Sequence, residues 1–330
     1  MKKILLDTDA GVDDVMAILL LLRCPDLAEC VGITVVAGNT NLEHCLANVR
    51  RALGIAGLYT DGLTASIGGI PVLAGAARPL SRPLLHAIEV HGPDGLGGTS
   101  TIPDPSGALL YPERPVPLHP LPAHRFMLDA AVQAPGEITL VAIGPLTNVA
   151  LACLEDPVAF REFKEIILMG GAFHHDGNAS ARAEFNILVD PEAARIVLDS
   201  GVPVKMVPLD CTEQTRLIES DLEGDGPVHA FLRAATSTIM GFYRRFEGFE
   251  GIYHHDPLAM GVALDPSFAF GMRTRVEVET RGEYSTGETV AALRRQRALL
   301  EGEPNVEICL HADAERFNRF FLDRVLPAGA

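Results

Sequence analysis

What most constrains this chain is an alternation repeated over its first two hundred residues: short apolar runs rich in β-formers, separated by stretches with helical spacing. Strand-like runs fall at Ile4–Leu6, Val31–Val36, Ile138–Ile143, Glu165–Met169 and Val204–Val207. Helical patterns lie between them at about 13–23, 41–54, 125–134, 145–155 and 191–200. This order reads as successive βα units, so the expected fold is a mainly parallel, Rossmann-like α/β sheet with helices on both faces. Such sheets take their ligands at the carboxyl ends of the strands.

Beyond residue 226 the texture changes to longer helices at 227–246 and 256–264. Strand-like pieces follow at Arg273–Glu279 and Val306–Leu310, then a last amphipathic helix from Asp313. Seven prolines between Thr101 and His124 forbid helix or central strand there, which predicts a long ordered loop over the surface. With 330 residues, 48% of them hydrophobic and no internal repeat, a single domain spanning 1–330 is expected.

The 43 acidic and 27 basic residues leave a formal charge of −16, which repels phosphate backbones and anionic lipid. Nucleic acid and membranes are therefore excluded as expected partners. The apolar run Ile4–Leu6 is too short for a signal peptide and no stretch is long enough to span a membrane, so a cytoplasmic protein is expected. Six scattered cysteines without a C-x-x-C pair read as reduced, buried thiols.

The chemistry concentrates in Asp7-Thr8-Asp9-Ala10-Gly11-Val12-Asp13-Asp14, four carboxylates directly after the first strand. Held together in a crevice, they require a cation or a shared proton. Oxygen donors without cysteine or paired histidine suit a hard ion, and an irregular loop suits Ca²⁺ better than Mg²⁺. A preference of Asp13 and Asp14 for a helix N-terminus leaves Asp7 and Asp9 unexplained. An EF-hand fails because Gly11 comes one position early and no glutamate closes the loop. A Mg²⁺ phosphohydrolase of the haloacid-dehalogenase type, with Asp7 as nucleophile and Asp9 as acid/base, fits the first two carboxylates but not the second pair.

The run D-x-D-x-G-x-D-D resembles the signature of the inosine-uridine preferring nucleoside hydrolases. Four further segments match in order: Gly38-Asn39; Ile143-Gly144-Pro145-Leu146-Thr147-Asn148; Met169-Gly170-Gly171-Ala172 through Asn178 to Glu184-Phe185-Asn186; and His255-Asp256-Pro257. The resemblance implies the nucleoside hydrolase fold, a ribonucleoside substrate, and Ca²⁺ held by Asp9, Asp14, Asp256 and the Ile143 carbonyl. It further implies that Asp9 takes the proton of the attacking water. Asp13 and Asn186 would grip the ribose 2′- and 3′-hydroxyls, Asn178 and Glu184 the 5′-hydroxyl, and Asn39 the sugar as well.

Cleavage of an N-ribosyl bond passes through an oxocarbenium-like state and needs a stabilised leaving base. His255, beside Asp256, is the expected general acid, with a pKa near working pH; His254 is expected to pack. Tyr243 reads equally as a base-pocket residue or a core aromatic. His91, in His91-Gly92-Pro93-Asp94-Gly95-Leu96-Gly97, reads equally as a base contact or as turn structure, in a loop whose glycines allow closure over the nucleoside. His174-His175-Asp176 reads as loop decoration. The absence of tryptophan disfavours a purine sandwich, so a broad or pyrimidine-leaning enzyme of nucleoside salvage is expected, a homo-oligomer (dimer or tetramer) by resemblance. A non-catalytic nucleoside or Ca²⁺ sensor is the remaining alternative, and it would have no use for Asp9 as a base or for His255.

Overall fold

The computed structural model describes residues 1–59, 67–293 and 302–327. Its main sheet contains β1 (Lys2–Thr8), β2 (Ala28–Val35), β3 (Val72–Ala74), β4 (Ile138–Ala142), β5 (Glu165–Met169), β6 (Val204–Val207), β7 (Ala269–Thr274) and β8 (Val306–Ala312). Helices of eight or more residues are α1 (Val12–Leu22), α2 (Leu42–Ala56), α3 (Ala123–Gln133), α4 (Thr147–Glu155), α5 (Pro191–Leu198), α6 (Pro227–Phe246), α7 (His255–Leu264) and α8 (Ala314–Val325). The strand order is β3-β2-β1-β4-β5-β6-β8-β7. Every pairing is parallel except that of β7 with β8.

Alternation along β1 explains the layering. Ile4 and Leu6 join the core shared with α1, α2, α6, α7 and α8, whereas Leu5 joins the opposite core with α3, α4 and α5. Both α1 and α7 are buried along their whole length, as their all-round apolar composition requires. The chain runs outward through β2 and β3 and then returns to place β4 on the other side of β1. That reversal opens a crevice at the carboxyl ends of β1 and β4.

Two expectations are corrected. Arg273–Glu279 is not one strand: β7 ends at Thr274, and Val276–Val278 pairs instead with Thr289–Ala291. Thr274, Val276 and Val278 are all buried, so the alternating pattern runs unbroken across a change of partner. The edge strand β3 was not foreseen, because three residues are too few to show a period.

The proline-rich segment is an ordered loop running to Pro122, with α3 starting at Ala123. It is tied down by Arg114 N–H to Arg50 O at 3.1 Å and by His119 N–H to Val72 O at 2.9 Å, so it covers α2 and the β3 edge. All six cysteines are free thiols.

Candidate active site

β1 carries Asp7, Thr8 and Asp9 into the interior, and the chain must then turn sharply to begin α1. Ala10 makes the turn with φ +45°, the only left-handed non-glycine backbone among the described residues. Thr8 Oγ1 accepts from Ala10 N–H at 3.0 Å, and Asn48 Nδ2 donates to Ala10 O at 3.1 Å. Gly11 is required by close approach: a Cβ there would sit 2.5 Å from Asn39 Nδ2.

The turn delivers Asp14 into a web of donors. It accepts from Thr8 Oγ1, from Asp9 N–H at 3.2 Å, from Gly11 N–H at 2.8 Å and from Asn39 Nδ2 at 3.1 Å. Asp13, Asp14 and Asp256 bring carboxylate oxygens within 4.8 Å of one another. Burial raises all three carboxyls, Asp13 to about 6. Asp13 Oδ1 has no hydrogen-bond partner although it is buried, and among the described residues neither lysine nor arginine lines the surrounding cavity. Orphaned carboxylate oxygens with no cationic side chain fit a hard divalent ion.

Asp9 lies beside this triplet rather than within it. Its Oδ2 accepts from Asn39 N–H at 2.7 Å, and its Oδ1 is buried without a partner. A Cβ on Gly38 would fall 2.1 Å from Asp9 Oδ2, which accounts for the glycine before Asn39. The Ile143 carbonyl, at the end of β4, accepts from Asn186 Nδ2 at 3.1 Å. Asp7 stays off the cavity: Thr34 Oγ1 and Asn148 Nδ2 donate to its Oδ1 at 2.6 and 2.8 Å.

The cavity, about 380 Å³, lies within the range of small-molecule sites. Asp13, Asn39, Asn178, Glu184, Asn186, Tyr243, His91, His255, Asp256 and Ile143 all line it; of the expected site residues Asp9 and Asp14 do not, although Asp14 lies together with Asp13 and Asp256. Glu184 caps the short helix Phe185–Val189, accepting from Asn186 N–H at 2.8 Å and Ile187 N–H at 3.1 Å, and also from Gly171 N–H at 3.1 Å. Burial still raises its carboxyl to about 7. Asn178 Oδ1 accepts from Phe185 N–H at 2.9 Å, which leaves its amide nitrogen for a ligand.

His255 opens α7. Its Nδ1 is 2.8 Å from Thr212 Oγ1 and its Nε2 is 3.2 Å from Tyr243 OH. The expected pKa near working pH does not hold: burial lowers it to about 3, because the ring touches two uncharged hydroxyls and no carboxylate. Tyr243 is both buried core and cavity wall, so the two readings of it coincide. His254 packs edge-on against Phe321 and Phe317, with ring centroids 4.5 and 5.5 Å away.

His91 lines the cavity, and its Nδ1 accepts from Val12 N–H at 3.2 Å, at the start of α1. The following loop is held by Asp94, which accepts from Leu96, Gly98 and Ser100 N–H at 2.8–2.9 Å. The His174–Asp176 segment is tethered too: Asp210 accepts from Phe173 and His174 N–H, and His175 Nε2 lies 3.1 Å from Glu213.

Four contributors escaped sequence reasoning. Thr212 and Asn48 meet their partners only through the fold. Ile239 and Glu247 flank Tyr243 at helical spacing on α6 and line the cavity with it, so an i, i+4, i+8 search would have found them.

Residues 4–319 match the sequence profile of the inosine-uridine preferring nucleoside hydrolases. The chain is 36% identical over 300 residues to the inosine-uridine preferring nucleoside hydrolase of Leishmania major, covering 90% of this chain and 89% of that one. It is 35% identical over 296 residues to the pyrimidine-specific ribonucleoside hydrolase RihA of Photobacterium profundum, covering 88% of each. Among solved structures, a plant nucleoside hydrolase, PpNRh1, superposes with a TM-score of 0.86 at 31% identity, covering 98% of both chains. With the acidic turn, the cavity and the fold in agreement, the chain belongs to the inosine-uridine preferring nucleoside hydrolase family.

Proposed function

We propose that this protein hydrolyses the N-glycosidic bond of ribonucleosides, releasing ribose and the free base, with Ca²⁺ at the acidic turn and one catalytic domain spanning residues 1–330. The observation that carries the reading is the composition of the cavity floor. Unpartnered buried carboxylate oxygens adjoin the buried amides of Asn39 and Asn186, and the exposed Asn178 lines the same cavity. That mixture of acceptors and donors suits a polyol beside a cation.

Asp9, Asp14, Asp256 and the Ile143 carbonyl would hold the ion, with Asp13 close enough to share it or to grip a ribose hydroxyl. When bound, Ca²⁺ supplies neutralising charge and Lewis-acid activation of water. Asp9 Oδ1, a buried acceptor without a donor, takes the proton of the attacking water. Asn186 orients the 2′- and 3′-hydroxyls, while Asn178 and Glu184 hold the 5′-hydroxyl. Asn39 holds the carboxylates of Asp9 and Asp14 in place while facing the sugar.

His255 assists the leaving group as a neutral imidazole that keeps its own proton and orients a neighbouring one. With Thr212 donating to Nδ1, the Nε2–H donates to Tyr243, whose hydroxyl proton then points at the base. His91 supports α1 and borders the base. The protein acts on free nucleosides in the cytoplasm, and as a homo-oligomer on the resemblance alone. Among the described residues no helix is long and apolar enough to cross a membrane.

A phosphohydrolase is disfavoured because, among the described residues, no lysine or arginine lines the cavity to meet a phosphate. The chain's four lysines, Lys2, Lys3, Lys164 and Lys205, all lie at the amino ends of strands, opposite the site. A sensor leaves the Thr212–His255–Tyr243 chain without a purpose. The test is ribose release from inosine, uridine, cytidine, adenosine and p-nitrophenyl riboside, with Ca²⁺ and after chelation. Ca²⁺-dependent ribose release is the expected result; release of phosphate from nucleotides without release of ribose would replace the reading.

A further inference from the structure

Relatives similar to this chain are named for pyrimidines, for inosine and uridine, and for purines, so their names do not select its base. The cavity is asymmetric. Its floor is made of Asp13, Asn39, Glu184, Asn186 and Asp256, none more than 7% exposed. Its mouth is made of exposed Leu85, Glu89 and Glu247 and half-buried Phe242. A ribose held by its hydroxyls on the floor directs its anomeric substituent outward, so the base occupies the half toward the mouth.

There the end of α6 presents Ile239, Tyr243 and the C-cap residue Glu247 on one face, spaced by about 6 Å along the axis. Tyr243 is fixed by His255. Glu247, one turn further out, is fixed by Tyr253, whose hydroxyl donates to Oε2 at 3.3 Å while its ring stacks on Phe249 at 4.8 Å. The amides of Asn39 and Asn186 lie on the buried floor, and among the described residues no lysine or arginine lines the cavity. Beyond the Tyr243 hydroxyl, the outer half offers a base the carboxylates of Glu247 and Glu89, the His86 ring and apolar walls.

Taking the site as a ribonucleoside site, we propose that Glu247 is a specificity-determining residue that selects bases bearing an exocyclic amine. Cytosine and adenine present an N–H₂ donor where uracil and hypoxanthine present carbonyl lone pairs. A fixed carboxylate accepts from the first pair and repels the second. A polar site left unsatisfied by the wrong partner discriminates strongly.

The experiment compares kcat/KM for cytidine against uridine and for adenosine against inosine, at saturating Ca²⁺ and pH 8. The wild type is expected to favour the amino member of each pair by about tenfold or more, and Glu247→Gln to bring both ratios close to one. Each ratio is internal to one enzyme preparation, so partial misfolding of a variant cancels. Ratios at or below one in the wild type, ratios unmoved by Glu247→Gln, or a collapse produced by Glu89→Gln instead would each overturn the assignment. Ribose release from p-nitrophenyl riboside separates the two levels. Its presence without an amine preference overturns only this inference, and its absence together with silence on all four nucleosides overturns the hydrolase reading as well.

Discussion

Asp14 is oriented by four donors before any ion arrives, whereas His255 and His254, neighbours in sequence, illustrate how far adjacent side chains can diverge. His255 faces the cavity with both nitrogens bonded; His254 sits in an aromatic cage with both nitrogens unpartnered. If His255 aims the Tyr243 hydroxyl proton at the leaving base, His255→Ala should slow inosine and uridine by orders of magnitude more than p-nitrophenyl riboside, whose leaving group needs no proton. Steady-state rates on the three substrates decide it, and equal losses would assign the ring to folding. For His254, burial lowers the pKa from 6.5 to about 3. The folded state then binds fewer protons than the unfolded one, so stability present above pH 6.5 is lost as the pH falls. At pH 5 that loss is about 2 kcal/mol. His254→Phe should therefore flatten the acid limb of a thermal-unfolding series, and an unchanged limb would show the ring is not held neutral.

Between elements, the acidic turn depends on α2. Asn48, 1% exposed, donates to Ala10 O and to Asp94 O at 3.1 and 2.8 Å, joining the turn to the His91 loop. Its Oδ1 accepts from Arg51, which in turn donates to Tyr111 O in the proline-rich loop. Asn48→Ala would leave buried acceptors unmet, costing on the order of 1–3 kcal/mol. Because Ala10 lies between Asp9 and Asp14, Ca²⁺ affinity should weaken along with stability. Asn48→Asp, which keeps the acceptor for Arg51 but loses the donors, should behave likewise. Calorimetric Ca²⁺ titration beside thermal melts distinguishes this from packing alone, which would lower the melting temperature and leave the affinity unchanged.

For the molecule as a whole, the buried carboxyls Asp7, Asp13 and Glu184 are raised to about 7, 6 and 7 by burial. Their contribution is complete below the unfolded values near 4 and is lost as the pH rises through 6 to 7. Metal-free protein should therefore weaken between pH 6.5 and 8, a window above the titration of the lowered histidines. Ca²⁺ at a hundredfold excess over Kd should restore about 2.7 kcal/mol, with a larger shift in Tm at pH 8 than at pH 6.5. An equal shift at both pH values would mean that the ion displaces no protons and binds elsewhere. The alternation of apolar runs and the acidic turn were legible in the sequence because period and local charge density are properties of neighbouring residues. The helices at 227–246 and 256–264 were read within a residue of their observed bounds for the same reason. The three-residue β3 and the break at Arg275 were not, since one is shorter than a period and the other preserves it. Nor were the pairing of His255 with Thr212, 43 residues away, or that of Asn48 with Ala10, 38 residues away. The tertiary structure alone decided these, and with them the lowered pKa of His255, because desolvation and hydrogen-bond partners exist only once distant segments have packed.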